Sequence, residues 1–244
     1  NNGGSDLIFI DSREELYNQY KNMLKLKPGM RNAKLDSFCI NGGDSKFLDI
    51  SLNSQDLVDD VISSYLQLTP REGRQHRITK TAEQLKNILQ RESGQTFSTN
   101  SVLIPRNLRK EGRVYLSEEE VCVSTNFIVC ETYSKDISLL LSTWISTIFY
   151  QLICEVSSKD QEGTRKMEKE DVLNTFIPKL DNVPDNIIHL LKQEKTNLSF
   201  VELKNPIIRT VDKIWANYLF KENADEMLQS AKRLLSFLAN RRNP

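Results

Sequence analysis

The sequence predicts an α+β fold: a small mixed or antiparallel sheet with a long buried helix, flanked by helical segments. Three observations carry this. Between Ser101 and Val129, short β-branched and aromatic runs alternate with charged turns, which is the mark of strands. From Leu141 to Val156 the apolar residues recur at helical spacing instead. Amphipathic helical stripes lie on both sides of that stretch. Three segments follow: an α+β part over 1–95, a core over 96–180 and a helical part over 181–244.

In chain order, Leu7-Ile8-Phe9-Ile10 is expected to form a strand. Ser12 then caps a helix, with Glu15 completing a capping box and Leu16, Tyr17, Tyr20 and Leu24 forming the apolar face, before Pro28-Gly29 stops it. Phe38–Ile40 and Phe47–Ile50 flank Asn41-Gly42-Gly43-Asp44, which predicts a hairpin. Asn53 or Ser54 opens the next helix, whose stripe is Leu57, Val58, Val61, Ile62, Tyr65 and Leu66, with Thr69-Pro70 as its terminator. The basic loop Arg71–Arg77 and Thr79 lead into a helix carrying Leu85, Ile88 and Leu89. That loop is either a solvated connection or a phosphate contact beside a helix N-terminus.

The central strands are Val102–Ile104, Val114–Leu116, and Val121–Val123 followed by Phe127–Val129. Pro105 ends the first, because proline supplies no donor to a central ladder, and Glu111-Gly112 forms a turn. The long helix follows, with Leu141, Trp144, Ile145, Ile148, Phe149, Leu152 and Val156 on its buried side. No charge occurs from Ile137 to Cys154, which raises a membrane span. Ser138, Ser142, Ser146, Thr143, Thr147 and Gln151 give one face a polar stripe, and the soluble reading prevails. Toward the C-terminus, Ile187–Leu191 marks one helix. Pro206 opens a second bearing Ile207 to Leu219, and Asn223 caps a third bearing Met227 to Leu238.

Composition narrows the function. The chain has 244 residues, 39% hydrophobic and 27% charged, with 33 basic and 33 acidic side chains. That is ordinary for a folded soluble protein, and any basic face must come from segregated charge. Four cysteines without paired spacing and two histidines indicate neither a disulfide framework nor a zinc site, which suits a reducing cytoplasm. The opening Asn1-Asn2-Gly3-Gly4-Ser5 reads as a linker and lacks an initiator Met, so a fragment of a longer protein is expected. No Gly-rich nucleotide loop, nucleophile elbow or zinc-protease helix is found.

Two basic groups stand out. Arg106, Arg109, Lys110 and Arg113 lie between strands, and Lys159, Gln161, Arg165 and Lys166 follow the long helix, with Gly163 allowing close approach. Arginine and lysine hold phosphate or pair with guanine, and a Gln amide reads adenine. Ser124-Thr125-Asn126 interrupts an apolar strand, as a bulge, an outward-facing segment or a polar contact. Glu155 and Lys159 would suit an Mg²⁺ nuclease if such chemistry were present, although the acid-to-lysine spacing is too long. Arg241 and Arg242 are explained by the helix dipole.

The order of IPRNLR (104–109), VSTNFIV (123–129), LSTWISTIFYQL (141–152), EGTRKME (162–168) and the closing Ile177-Pro178 resembles a target-recognition domain. Such domains read DNA for N6-adenine DNA methyltransferases and related restriction–modification specificity proteins. The family helix usually reads Leu-Asn-Ser where this chain has Ser142-Thr143-Trp144-Ile145-Ser146. The resemblance covers about a third of the chain. It implies sequence-specific duplex DNA recognition without catalysis or cofactor in this part, and the Asn-Pro-Pro-aromatic motif by which adenine methyltransferases hold a flipped base is not found in the sequence. AdoMet and the chemistry would belong to a separate methyltransferase or nuclease domain or subunit. The alternatives are an Mg²⁺-dependent restriction endonuclease and a helical protein-interaction scaffold. The DNA-binding residues expected are Arg106, Arg109, Lys110, Arg113, Ser124, Thr125, Asn126, Lys159, Gln161, Arg165 and Lys166.

Overall fold

The computed structural model describes residues 5–68, 80–92, 100–108, 110–157, 159–161 and 164–242; the side chains of Ser5 and residues 159–161 lie outside the description. Its helices are α1 (Ser5–Ile8), α2 (Glu14–Tyr20), α3 (Gln55–Gln67), α4 (Ala82–Glu92), α5 (Lys135–Ser146), α6 (Ile148–Ser157), α7 (Lys169–Leu173), α8 (Asp185–Glu194), α9 (Thr210–Phe220) and α10 (Ala224–Arg242). Its strands are β1 (Lys27–Met30), β2 (Cys39–Ile40), β3 (Ser45–Phe47), β4 (Ser101–Pro105), β5 (Asn107–Leu108), β6 (Glu111–Gly112), β7 (Tyr115–Ser117), β8 (Cys122–Val123), β9 (Phe127–Glu131), β10 (Lys159–Gln161), β11 (Thr164–Lys166) and β12 (Val201–Glu202). The α+β class is as expected. The chain divides into two units: Asn1–Arg31, Gly42–Phe97 and Glu120–Ser124 form the first, and Asn32–Asn41, Ser98–Glu119 and Thr125–Pro244 the second.

In the first unit, β1 pairs antiparallel with β3 and parallel with β8. The stripes of α2, α3 and α4 bury Leu16, Tyr20, Val58, Val61, Ile62, Tyr65, Leu85 and Leu89 in one core. Ser54 caps α3 through the Leu57 N–H, while Thr81 and Gln84 cap α4 reciprocally, side chain to backbone in both directions. Thr69-Pro70, the basic loop 71–77 and Thr79 lie outside the described residues.

Three expectations are corrected here. Leu7–Ile10 is not a strand: Leu7 and Ile8 belong to α1 and Ile10 opens a 3-10 turn, and Leu7 and Ile10 are both fully buried, whereas a strand would send residues three apart to opposite faces. Only Phe9 bridges to Phe47. Ser12 donates to the Asp6 carbonyl rather than capping α2. The segments around Gly42-Gly43 do not pair as a hairpin either. Phe38 and Ile40 belong to the second unit, where β2 pairs with β7, while Phe47 packs with Phe9 and Cys122 in the first. The glycine turn itself is real: Gly43 has φ +71°, and a Cβ there would sit 2.1 Å from the Gly29 carbonyl oxygen.

The second unit holds a four-stranded sheet ordered β2-β7-β4-β9. Central β4 runs antiparallel to β7 and β9, so Val102 pairs with Leu116 on one side and Cys130 on the other. Helix α5 lies against β4 and β7, and the core continues without a break into Trp215 of α9 and Leu228, Leu235 and Ala239 of α10. The 96–180 and 181–244 segments therefore share one core.

The single long helix is two helices, bent by 65°. Thr147 is extended (ψ 156°) and ends α5, while its hydroxyl accepts from the Tyr150 N–H. The Ile148 N–H is taken by the Asp212 carboxylate of α9 at 2.9 Å. A buried side-chain acceptor thus replaces the helical carbonyl, and the helix restarts in a new direction. The polar stripe is buried as well. Ser138, Ser142 and Ser146 each donate to the carbonyl three residues back, and Thr143 accepts from the Trp215 indole N–H at 3.3 Å. Among the described residues no single helix is long and apolar enough to cross a membrane. Helix α9 starts at Thr210 rather than at Pro206, because the Asp212 carboxylate holds the Arg209 N–H as its N-cap.

Candidate nucleic-acid interface

Beyond Pro105, the last residue of β4, the chain leaves the main sheet and its backbone is held from two sides. The Arg106 N–H donates to the Asn126 carbonyl (2.8 Å), and its own carbonyl accepts from the Met167 N–H (2.7 Å). The next two residues form β5 and pair antiparallel with β11, Asn107 against Lys166 and Leu108 against Arg165. Strand β10 completes this second sheet, with Lys159 opposite Lys166 and Gln161 opposite Thr164. Asn107-Leu108, within the first basic segment, thus lies beside Arg165-Lys166 of the second, and the exposed turn Thr125-Asn126 is tied to Arg106 next to them. The period of two sorts their side chains: Leu108 and Arg165 go inward, Asn107 outward, and Lys166 is partly exposed.

Two cations here share one carboxylate. Arg106 donates to Glu168 at 2.7 Å and Lys166 approaches the same group at 3.2 Å, leaving one net positive charge. The three side chains are 30–42% exposed. Solvent-exposed pairs of this kind hold their partners weakly, so an incoming phosphate can displace Glu168 from either cation. Lys110 is exposed as well, with no ion pair among the described residues, while its carbonyl accepts from the Leu203 N–H.

Several expected contacts are corrected. The Arg165 guanidinium is 1% exposed, bound to Glu155, the Gln151 carbonyl and the Gln151 side chain, so it does not face a groove. Arg113 is also spent. It bonds Glu111, Asp36 and the Leu35 carbonyl, and lies over the Phe200 ring at 5.1 Å. Ser124 belongs to the first unit and donates to the Arg31 carbonyl at 2.7 Å. Thr125 and Asn126 form a turn, not a bulge. Glu155, the acid of the nuclease alternative, is buried between Arg165 and Arg242, and its charge is taken up by both. Arg109, Gly163 and the side chains of Lys159 and Gln161 lie outside the described residues.

The sequence reading missed Asn107 and Glu168, and it gave Arg242 to the helix dipole alone. Asn107 was legible in principle, since it sits between two expected contacts in IPRNLR. Glu168 joins Lys166, two residues away, to the distant Arg106, and Arg242 acts through Glu155 and the Leu108 carbonyl far along the chain.

The family model described as "Restriction endonuclease BpuSI, specificity domain" matches residues 1–208. A solved structure, titled as the characterization and crystal structure of the type IIG restriction endonuclease BpuSI, superposes with a TM-score of 0.82 at 30% identity. That alignment covers 99% of this chain and 29% of the other, so this chain spans under a third of the enzyme it resembles. No curated protein matches.

Proposed function

This chain belongs to the family of BpuSI restriction-endonuclease specificity domains, and from that premise we propose that it reads duplex DNA through the end of its main sheet and the β5–β11–β10 sheet beside it. Arg106, Lys110 and Lys166 hold phosphates. Asn107, Thr125 and Asn126 reach base edges. One observation carries this reading: the Asn107–Lys166 strand pairing brings Arg106 and Lys166, far apart in sequence, to one half-exposed carboxylate beside the exposed Asn107. Amide side chains beside cations are what a groove requires, since cations position the duplex and amides distinguish bases. Cleavage and methyl transfer, together with AdoMet and any catalytic metal, are assigned to a linked catalytic domain or subunit.

The test is selection from a random duplex pool, followed by titration of the recovered sequence and a scrambled control at two salt concentrations. The parent chain should yield a consensus, and Lys166→Ala should weaken binding to both duplexes, lowering the salt slope by about one unit. Recovery of no consensus, or binding without salt dependence, would overturn the reading.

A further inference from the structure

Directly beneath the face just assigned lies a buried charge cluster with no place in phosphate or base contact. Arg242, in the last turn of α10, donates Nε to one Glu155 oxygen and Nη2 to the other, both at 3.1 Å. Its Nη1 reaches the Leu108 carbonyl of β5 at 3.3 Å. Glu155, on α6, also accepts from Arg165 of β11 at 3.2 Å, and Arg165 is held further by the Gln151 carbonyl and side chain. Gln151 in turn lies where a side chain on Gly112 would stand, 2.3 Å from an ideal Cβ, so its position is fixed by contact. The three charged side chains are 1%, 2% and 7% exposed.

Stability alone does not account for this arrangement. Apolar residues of the same volume would stabilise a core position as well or better, because each buried charge loses its hydration. The apolar floor is already present in Leu108, Met167 and Cys154. What charges add is direction. The bidentate Arg242–Glu155 contact fixes the carboxylate, the carboxylate fixes Arg165, and Arg242 fixes β5 directly. Both strands of the outward face are thus set from one side chain. The strands themselves are two or three residues long, and two register pairs join them, so their own ladder constrains them weakly.

We propose that Arg242 is a positioning residue for sequence discrimination: acting through Glu155, Arg165 and the Leu108 carbonyl, it sets the pose of the β5–β11 face against the bases. The proposal rests on the DNA-reading function assigned above. It predicts a separation of affinity from selectivity, since phosphate contacts tolerate a small tilt of the sheet and bidentate base contacts do not.

The experiment uses the whole 244-residue chain with the duplex recovered from a random pool and its scrambled control. Arg242→Gln leaves Glu155 paired with Arg165, so the fold survives. Its preference for the selected duplex should fall at least about tenfold, with salt slope and scrambled-duplex affinity close to those of the parent. Arg242→Lys should restore part of the preference. Should Arg242→Gln melt too early to assay, the triple variant Arg242→Met, Glu155→Met and Arg165→Met replaces the charges with apolar volume. Folded, it should bind both duplexes alike. Amide shifts of Asn107 and Lys166 in nitrogen-15 spectra should move in either variant. A folded variant that keeps the parent's preference overturns the positioning role while leaving the DNA function intact. A parent chain that selects no sequence overturns both.

Discussion

Arg106 and Arg113 come from the same basic run, and the fold uses them in opposite ways. Around Arg113 the chain is closed: five acceptors and an aromatic ring take its guanidinium, and its neighbours Val114 and Tyr115 are fully buried. Around Arg106 it is open, with one half-exposed carboxylate shared with Lys166 and a turn of polar residues alongside. The same contrast separates Arg165 from Lys166, adjacent in sequence but on opposite faces of β11. A cation is available for a ligand when the fold has not already used its donors. Substitutions in the closed region should therefore cost stability and those in the open region should cost binding.

The sharpest break of that contrast would come from Glu155→Gln. It leaves Arg165 and Arg242 facing each other with a neutral partner, and a loss of roughly 3–5 kcal/mol is expected in urea melts. A loss under about 1 kcal/mol would mean the cluster is wet and the region not closed. Trp144→Ala belongs beside it. The indole packs against Trp215 at 5.5 Å and Phe149 at 6.4 Å and donates to the Phe176 carbonyl, so roughly 3–5 kcal/mol should be lost. Ser142→Ala in the same helix should cost far less, because its hydroxyl returns to its own helix at Leu139. Next in size, Arg113→Gln should lower stability by about 1–3 kcal/mol by taking the guanidinium donors from Glu111 and the Ala33 carbonyl. Its salt slope on DNA should stay at the parent value; a fall would put Arg113 in the interface after all. Smallest in stability is Arg106→Ala, within about 0.5 kcal/mol of the parent by thermal or chemical melting. A larger drop would show that Arg106 is structural and that the open end of the sheet is not the phosphate site.

Much of the fold was legible because its rules are local. The β4, β7 and β9 strands announce themselves in Val102–Ile104, Tyr115–Leu116 and Phe127–Val129, and the stripes of α3, α8 and α10 follow the helical period. The target-recognition resemblance also led to the right family from degenerate pieces in the right order. What stayed hidden depends on partners distant in sequence. Nothing near Arg165 says that it is buried; Glu155 and Arg242 decide that, and the latter lies at the far end of the chain. Nothing near Phe38 says that it and Phe47 part into different cores, since a two-glycine turn fits a hairpin equally well.

The break between α5 and α6 has a practical consequence for anyone trimming this protein. The stretch from Ile137 to Cys154 has no charge and no glycine or proline, so its own preference is to continue as one rod. The bend is imposed from outside, by the Asp212 carboxylate at the Ile148 N–H. The family match stops at residue 208, just short of that carboxylate. An expression clone cut at the family boundary would therefore discard the cap along with α9 and α10. The remaining chain would carry an apolar rod with its kink removed and one side stripped of Trp215, a recipe for inclusion bodies rather than for a minimal DNA reader.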